Sequence, residues 1–456
     1  MMGRCGQTIT VDLMILVGVG ADPVGGRKMR YLISAVLLCF TAAFAADAGD
    51  QDVLARLKAL EEQNKVLAEK LEKAQAAKPD ALSKAIAASD AKLGAVIAAP
   101  DKNNRPLKVG GYFDISYQYN INRPDNQRNN MRVFDNDSNG FNVHLAELTF
   151  ERLPTKPGEA GFRVDTAFGT DTHLFSAQDN STSPAERAHD ANQFDLHQAY
   201  VEYIAPIGHG ITLDFGKMQT MHGAEVAEAA DDINASRSIL FGYAQPATHT
   251  GVRASYDVFA DGKWVVLAGI FNGWDNIQDQ NDAKTGVLQS IWKPTKWFTL
   301  ANGFMFGDEQ TNYNLDGTWT NHDKGGRFLA DTVATFTPWN KWTFAINADY
   351  ANETDALPIN GVPNREWWGV AVYTKYQLNK NWYVANRTEY FDDKNGARTG
   401  IKQQLWETTM TADWALSDPM HIRFEYRHDE SDRKPFMEDR RTAHQDTLMM
   451  QWLYKF

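Results

Sequence analysis

From Leu107 onward, apolar and polar side chains alternate with a period of two. Val109, Phe113, Ile115, Tyr117 and Tyr119 alternate with Lys108, Asp114, Ser116 and Gln118. Successive side chains of an extended strand point to opposite sides, so this spacing predicts strands with one apolar and one wet face. Such segments recur near 109–119, 142–152, 160–169, 195–204, 210–218, 248–258, 263–272, 285–293, 296–306, 327–337, 341–351, 366–377, 381–391, 402–415, 420–430 and 445–456, about sixteen in all. In the last of them Leu448, Met450, Trp452, Tyr454 and Phe456 share one face, and Gln451 and Lys455 the other.

The connections carry a second pattern. After every even segment the link is short: 154–159, 205–209, 260–262, 294–295, 338–340, 379–380 and 417–419. After the odd segments it is mostly long, as at 120–141, 170–194, 219–247, 307–326, 352–365 and 431–444. Tight turns alternating with long loops mark a membrane barrel with periplasmic turns and extracellular loops, and place both barrel ends in the periplasm. No apolar run reaches the ~18 residues of a membrane helix, so any span is built from strands, and open strand edges do not exist in lipid. Trp264, Trp292, Trp297, Trp339, Trp342, Trp382 and Trp414 cluster at the short turns, as an interfacial aromatic girdle requires. The predicted fold is all-β: a transmembrane antiparallel β-barrel of about sixteen strands, preceded by a short N-terminal coiled-coil helix. Segment 285–293 is the weakest, which leaves fourteen or eighteen strands open. The last segment looks like the closing strand of an outer-membrane barrel, where it also serves as an assembly signal.

The region before the barrel divides in three. Arg27, Lys28 and Arg30 precede an apolar run, 31–44, that ends in Ala43-Phe44-Ala45, which predicts an export signal over 1–45 with Met29 as its natural start. Over 46–78, Val53, Leu57, Leu60, Asn64, Leu67, Leu71 and Ala74 keep the alternating spacing of a periplasmic coiled coil, with Asn64 favouring a dimer. Residues 79–106 are the linker, and 107–456 the barrel. Both cysteines, Cys5 and Cys39, fall in the signal region, so the exported chain has no disulfide and no thiolate metal site. A net charge of −12 argues against a nucleic-acid partner.

Gly110-Gly111-Tyr112-Phe113-Asp114, Ser236-Arg237-Ser238, Phe241-Gly242-Tyr243-Ala244, Thr248-His249-Thr250-Gly251-Val252, Asn272-Gly273-Trp274-Asp275 and Arg423-Phe424-Glu425-Tyr426-Arg427 resemble motifs of the OmpL-like family of outer-membrane β-barrel porins. The resemblance covers roughly 107–456. The chain is similar also to phosphate-selective porins, some of which carry an N-terminal coiled coil. The resemblance implies a water-filled channel in the bacterial outer membrane for passive diffusion of small polar solutes and ions, without a cofactor. The partners it implies are the lipid bilayer, the diffusing solutes and, as in porins of this size, two further copies in a homotrimer, which conflicts with the dimer indicated by Asn64.

Charges on the wet faces are the candidate pore wall: Arg163 with Asp165, Arg253 with Asp257, Asn347 with Asp349, Arg387 with Glu389, and Arg423, Glu425, Arg427 and Asp429 together. A cationic side chain facing lipid at mid-depth costs ~2–4 kcal/mol, which directs these groups inward. They form either a hydrated wall of paired charges or a transverse field that selects among ions. The 219–247 connection carries too many apolar groups for extracellular water, among them Met221, Val226, Ile233, Ile239, Leu240, Phe241 and Tyr243. It is expected to fold into the lumen, with Glu225, Glu228, Asp231, Asp232 and Arg237 in a constriction and the acids facing wall arginines such as Arg253, Arg423 and Arg427; otherwise it covers a subunit contact. Three other signals fail. Residues 135–140 open like a calcium loop, but position twelve is Ala146 and Glu147 comes one residue late. The triplets beginning at Asn180 and Asn234 match a glycan acceptor pattern by accident. No metal-hydrolase or Gly-x-Ser-x-Gly motif occurs. No metal or cofactor is expected. The alternative is a barrel-embedded outer-membrane hydrolase, whose Ser, His and Asp would be scattered along strands and carry no motif.

Overall fold

The computed structural model describes residues 101, 103, 105–175, 194–279, 281, 283–309, 325–354, 364–436 and 442–456. The export signal, the coiled coil, most of the linker and the Asn180 triplet lie outside the described residues.

The described chain forms sixteen strands: β1 Lys108–Asn120, β2 Gly140–Arg152, β3 Ala160–Phe168, β4 Phe194–Ala205, β5 Ile211–Gln219, β6 Thr248–Asp257, β7 Trp264–Phe271, β8 Thr285–Thr295, β9 Phe298–Asp308, β10 Gly326–Trp339, β11 Trp342–Glu353, β12 Arg365–Gln377, β13 Trp382–Asp393, β14 Gln403–Ser417, β15 Met420–Ser431 and β16 His444–Lys455. Each pairs antiparallel with its sequence neighbours, and β1 pairs with β16 to close the ring. The segment that left the count open is β8, laddered on both sides to β7 and β9.

The seam shows why the first strand carries two glycines, Gly110 and Gly111, close to its start. Phe456 donates its N–H to Gly111 O at 3.0 Å and accepts from Gly111 N at 3.1 Å. A Cβ at position 111 would sit 2.1 Å from the Glu147 carbonyl oxygen and 2.8 Å from the Phe456 ring. Only glycine lets three strands approach that closely.

Sidedness follows the period of two. Along β13 the buried residues are Tyr383, Ala385, Arg387, Glu389, Phe391 and Asp393, while Val384 faces out. Tryptophans meet across hairpins at the short-turn end, Trp264 with Trp292, Trp339 with Trp342 and Trp382 with Trp414. The last pair stacks with ring centroids 5.4 Å apart. These rings form the interfacial belt.

Among the described residues, five ladders carry a register shift, three of them beside the short turns and two in mid-strand. In β2 the register skips His144 opposite Asp114 and Ile115, and in β4 it skips His197 opposite Asp165 and Thr166. Both inserted histidines are buried. A bulge re-aims side chains, and here each adds an imidazole to the inner wall.

Candidate functional site

The connection after β5 enters the barrel. It contains a 3-10 turn, Ala229–Asp231, and a turn of π-helix, Leu240–Ala244. Ile239, Leu240 and Ala244 are buried in one cluster with Leu329, Ala345, Ala371 and Trp367 of the wall. Ala227 and Phe241 are buried in another with Tyr112, Phe134 and Leu145. Complete burial of a Leu, Ile or Phe side chain is worth roughly 1.5–3 kcal/mol, so this path satisfies side chains that water would not. The wall is shaped for it. Ala345, Ala351, Gly369 and Ala371 are small inward residues on β11 and β12, and a Cβ on Gly369 would lie 2.7 Å from Leu240 Cδ1. That run of small inward residues was the sequence signal for the loop's seat, and the sequence reading missed it.

A loop taken out of water must find partners for its own N–H and C=O groups. The wall charges supply them. Glu389 accepts from the N–H groups of Ile239 at 2.6 Å and Leu240 at 3.1 Å. Glu425 accepts from those of Ala235 at 2.7 Å and Ser236 at 2.9 Å. Arg387 donates to Ser236 O at 2.6 Å, Arg423 to Ala229 O at 2.7 Å and Asp232 O at 2.9 Å, and Arg427 to Arg237 O at 2.6 Å. Each guanidinium keeps a wall carboxylate as well: Glu407 at 2.9 Å, Asp413 at 2.9 Å and Asp429 at 2.8 Å respectively. Arg387, Glu389, Arg423, Glu425 and Arg427 therefore face inward as expected, but they are buried. They clamp the loop and do not present a charged wall to water.

The loop acids also depart from expectation. Glu225 pairs with Arg387 at 2.8 Å, and Asp232 with Arg237 of its own loop at 3.1 Å. Burial pushes the Asp232 carboxyl up to about 8 against the opposing pull of Arg237. Glu228 is buried, bonds Gln219 and has its carboxyl raised, chiefly by burial. Asp231, the exposed one, meets Lys455 at 2.5 Å. None of the four pairs with Arg253 or Arg427, and Arg423 reaches the loop only through its carbonyls. Of the four acids, Glu225 thus meets a wall arginine, Arg387, while Asp232 pairs within the loop, Glu228 bonds Gln219 and Asp231 meets Lys455.

Of the remaining wall residues, Arg163 pairs with Asp165 at 2.8 Å and keeps 28% of its side chain exposed. Arg253 pairs with Asp214 at 2.8 Å and keeps 22%. Its expected partner Asp257 instead caps the turn after β6, accepting from Gly262 N at 2.7 Å. Asp349 is buried beside Asn347 and opposite Asp331.

The loop after β1 goes in as well, which the sequence reading missed. Arg132 binds Asp429 and Asp135, each at 2.6 Å, and Asp135 accepts from Gln118 at 2.9 Å. The calcium-like run thus begins with a carboxylate committed to Arg132. Trp274, in the connection after β7, is buried edge-on to Trp367, with Arg327 and Arg398 over its ring at 4.9 and 5.0 Å. Burial and the neighbouring Arg327 bring the Arg398 guanidinium down to about 10. On the opposite wall, Ser116 Oγ lies 2.7 Å from His144 Nε2, and His144 Nδ1 lies 3.2 Å from Asp171.

No curated protein matches the sequence. Solved structures do. DcaP, an outer-membrane channel of Acinetobacter baumannii, is 12% identical, with 79% of this chain and 99% of that chain covered and a TM-score of 0.52. An anion-selective porin from Comamonas acidovorans is 9% identical, with 77% and 99% covered and a TM-score of 0.52. OmpT of Vibrio cholerae in its trimer form is 10% identical, with 77% and 99% covered and a TM-score of 0.51. At these identities the likeness shows the fold, which is that of a porin barrel. The family described as "Putative beta-barrel porin-2, OmpL-like" matches residues 106–456, the entire sixteen-strand ring. The chain therefore belongs to the OmpL-like β-barrel porins and forms a channel in the bacterial outer membrane.

Proposed function

We propose that this channel passes small polar solutes and ions by passive diffusion along a narrow passage beside the inserted loop. The observation that carries the reading is the clamp: five buried wall charges on β13 and β15 hold the backbone of the 219–247 connection. The partly exposed charges lie elsewhere, at Arg163 on β3 and Arg253 on β6. A permeating ion meets these two guanidiniums, while Glu225, Glu228 and Asp232 of the loop remain covered and Asp231 is held by Lys455.

Selectivity should follow the exposed pair. In the double variant Arg163→Gln, Arg253→Gln, the carboxylates of Asp165 and Asp214 remain without their partners, and the reversal potential across a salt gradient moves toward cation preference. The shift shrinks at high salt, because screening shortens the reach of a charge to ~3 Å at 1 M. A reversal potential equal to wild type at low salt would remove both arginines from the passage.

The channel assembles as a trimer. Lipid-facing contacts along a barrel extend over far more surface than about three heptads can bury, so the barrel overrides the dimer indicated by Asn64. Native mass measurement in detergent then finds trimers that survive deletion of residues 46–100. Dimers that vanish with that deletion would reverse the order.

One observation favours the hydrolase alternative, the Ser116–His144–Asp171 relay. All three residues are buried, and the cavity beside His144 and Asp171 leaves about 10 Å³, room for no more than a water. No acyl group reaches Ser116 there. We read the relay as a hydrogen-bond chain that fixes the β2 bulge, and the protein as a channel without enzymatic activity.

A further inference from the structure

The bulge in β4 completes a second convergence of side chains. Glu147 of β2, His197 of β4 and Glu228 of the inserted loop are all buried, and each offers a ligand atom within 4.8 Å of the other two. His197 Nδ1 lies 2.8 Å from Glu147 Oε2. His197 is the residue the bulge inserts, while its neighbour Gln198 also faces inward and bonds Asp165 at 2.6 Å. The ladder is broken at the point that brings the imidazole between two carboxylates.

With both carboxyls ionised, charge does not balance within this group: a protonated imidazole neutralises one carboxylate, and the other is left buried without a counter-charge, which is strongly unfavourable. The basic side chains of the adjoining strands are already engaged: Lys217 with Asp195 at 2.9 Å and Arg163 with Asp165 at 2.8 Å. A divalent cation bound by a neutral imidazole and two carboxylates closes the balance. A further oxygen donor stands beside them. Tyr112 is the cross-strand partner of Glu147 on the same inward face, and its ring packs in one cluster with Ala227, next to Glu228. Its hydroxyl is buried with no hydrogen-bond partner among the described residues.

We propose that Glu147, His197 and Glu228 bind a divalent transition-metal ion that fastens the inserted loop to β2 and β4. One imidazole nitrogen with carboxylate oxygens suits Zn²⁺ or Mn²⁺, whereas Ca²⁺ takes six to eight oxygens and no nitrogen. This departs from the metal-free expectation. The ligands come from two strands and a loop, with Glu147 and His197 fifty positions apart, so no short motif announced them. Because Glu228 is the loop's contribution, occupancy of the site governs how firmly that arm is held.

The test uses the untagged full chain, purified in detergent and stripped with chelator. Titration with Zn²⁺, read by calorimetry and by elemental analysis after gel filtration, is expected to give one tightly held ion per chain. Ca²⁺ is expected not to compete. Glu228→Gln and His197→Gln, each shown to be folded by heat-modifiable migration, are expected to weaken binding by more than tenfold. In planar bilayers, chelator should raise the wild-type conductance or its open-channel noise and leave Glu228→Gln unchanged. A folded wild-type protein that retains no stoichiometric Zn²⁺ overturns the proposal. So does binding of equal strength in both variants, or a chelator effect that persists in Glu228→Gln.

Discussion

Replacing Glu389 and Glu425 together by glutamine is expected to raise the single-channel conductance severalfold and make it noisy, while the barrel still inserts. Each carboxylate accepts two backbone N–H groups of the loop, from Ile239 and Leu240 and from Ala235 and Ser236. Hydrogen bonds to a charged acceptor contribute ~1.5–3 kcal/mol each, and a buried N–H left without a partner costs ~1–3 kcal/mol. Losing the charge at both anchors therefore removes enough to compete with the apolar packing of Ile239, Leu240 and Ala244. The wall itself loses little, because Arg387 and Arg423 keep Glu407 and Asp413. The strand ladder is untouched, so heat-modifiable migration stays that of wild type. By contrast, neutralising Asp231, the exposed loop acid paired with Lys455, should leave conductance nearly unchanged. Planar-bilayer conductance of the double variant equal to wild type would mean that the clamp does not hold the loop in the passage.

The second large effect is expected at the seam. Phe456→Asp should reduce folded protein in the outer membrane by well over tenfold, whereas Phe456→Tyr should restore it. Phe456 makes both of its backbone hydrogen bonds to Gly111, and its ring lies 6.0 Å from that of Phe113 and 6.3 Å from that of Tyr454. An anionic side chain near the interface costs a folded barrel only ~0–1 kcal/mol, so the equilibrium penalty is small. The loss arises earlier. Until β16 meets β1 the sheet has two open edges, which lipid does not tolerate, and the apolar face that carries β16 to the seam ends in this ring. Immunoblots of unheated and heated outer-membrane fractions separate the outcomes: a normal amount of the fast-migrating form in Phe456→Asp would show that closure does not depend on this ring.

A strand count near sixteen, the strand order and the face most side chains take were legible along the chain, and the physical reason is that all three are local. A period of two assigns Arg387 and Glu389 to one wall and Val384 to the other without reference to anything distant, since lipid penalises the opposite choice. Tight turns joined each strand to its neighbour, so order followed from spacing, and the apolar excess in 219–247 already called for a path out of water, through the lumen or under a subunit contact. What each inward charge meets is a different matter. Glu389 bonds Ile239 across an interval of 150 residues, and Glu425 bonds Ala235 across 190. Such partners depend on where a loop crosses the lumen, which is set by small side chains on β11 and β12 and by carboxylates positioned to receive its N–H groups. Arg253 and Asp257 are four apart on one strand and looked like a pair, yet Asp214 on the adjoining strand lies closer in space. His144 and His197 face inward because a bulge adds one residue to the ladder, and no periodicity predicts where a ladder will slip. The alternation of side chains built the ring; the path of the loop through it decided which charges still face water.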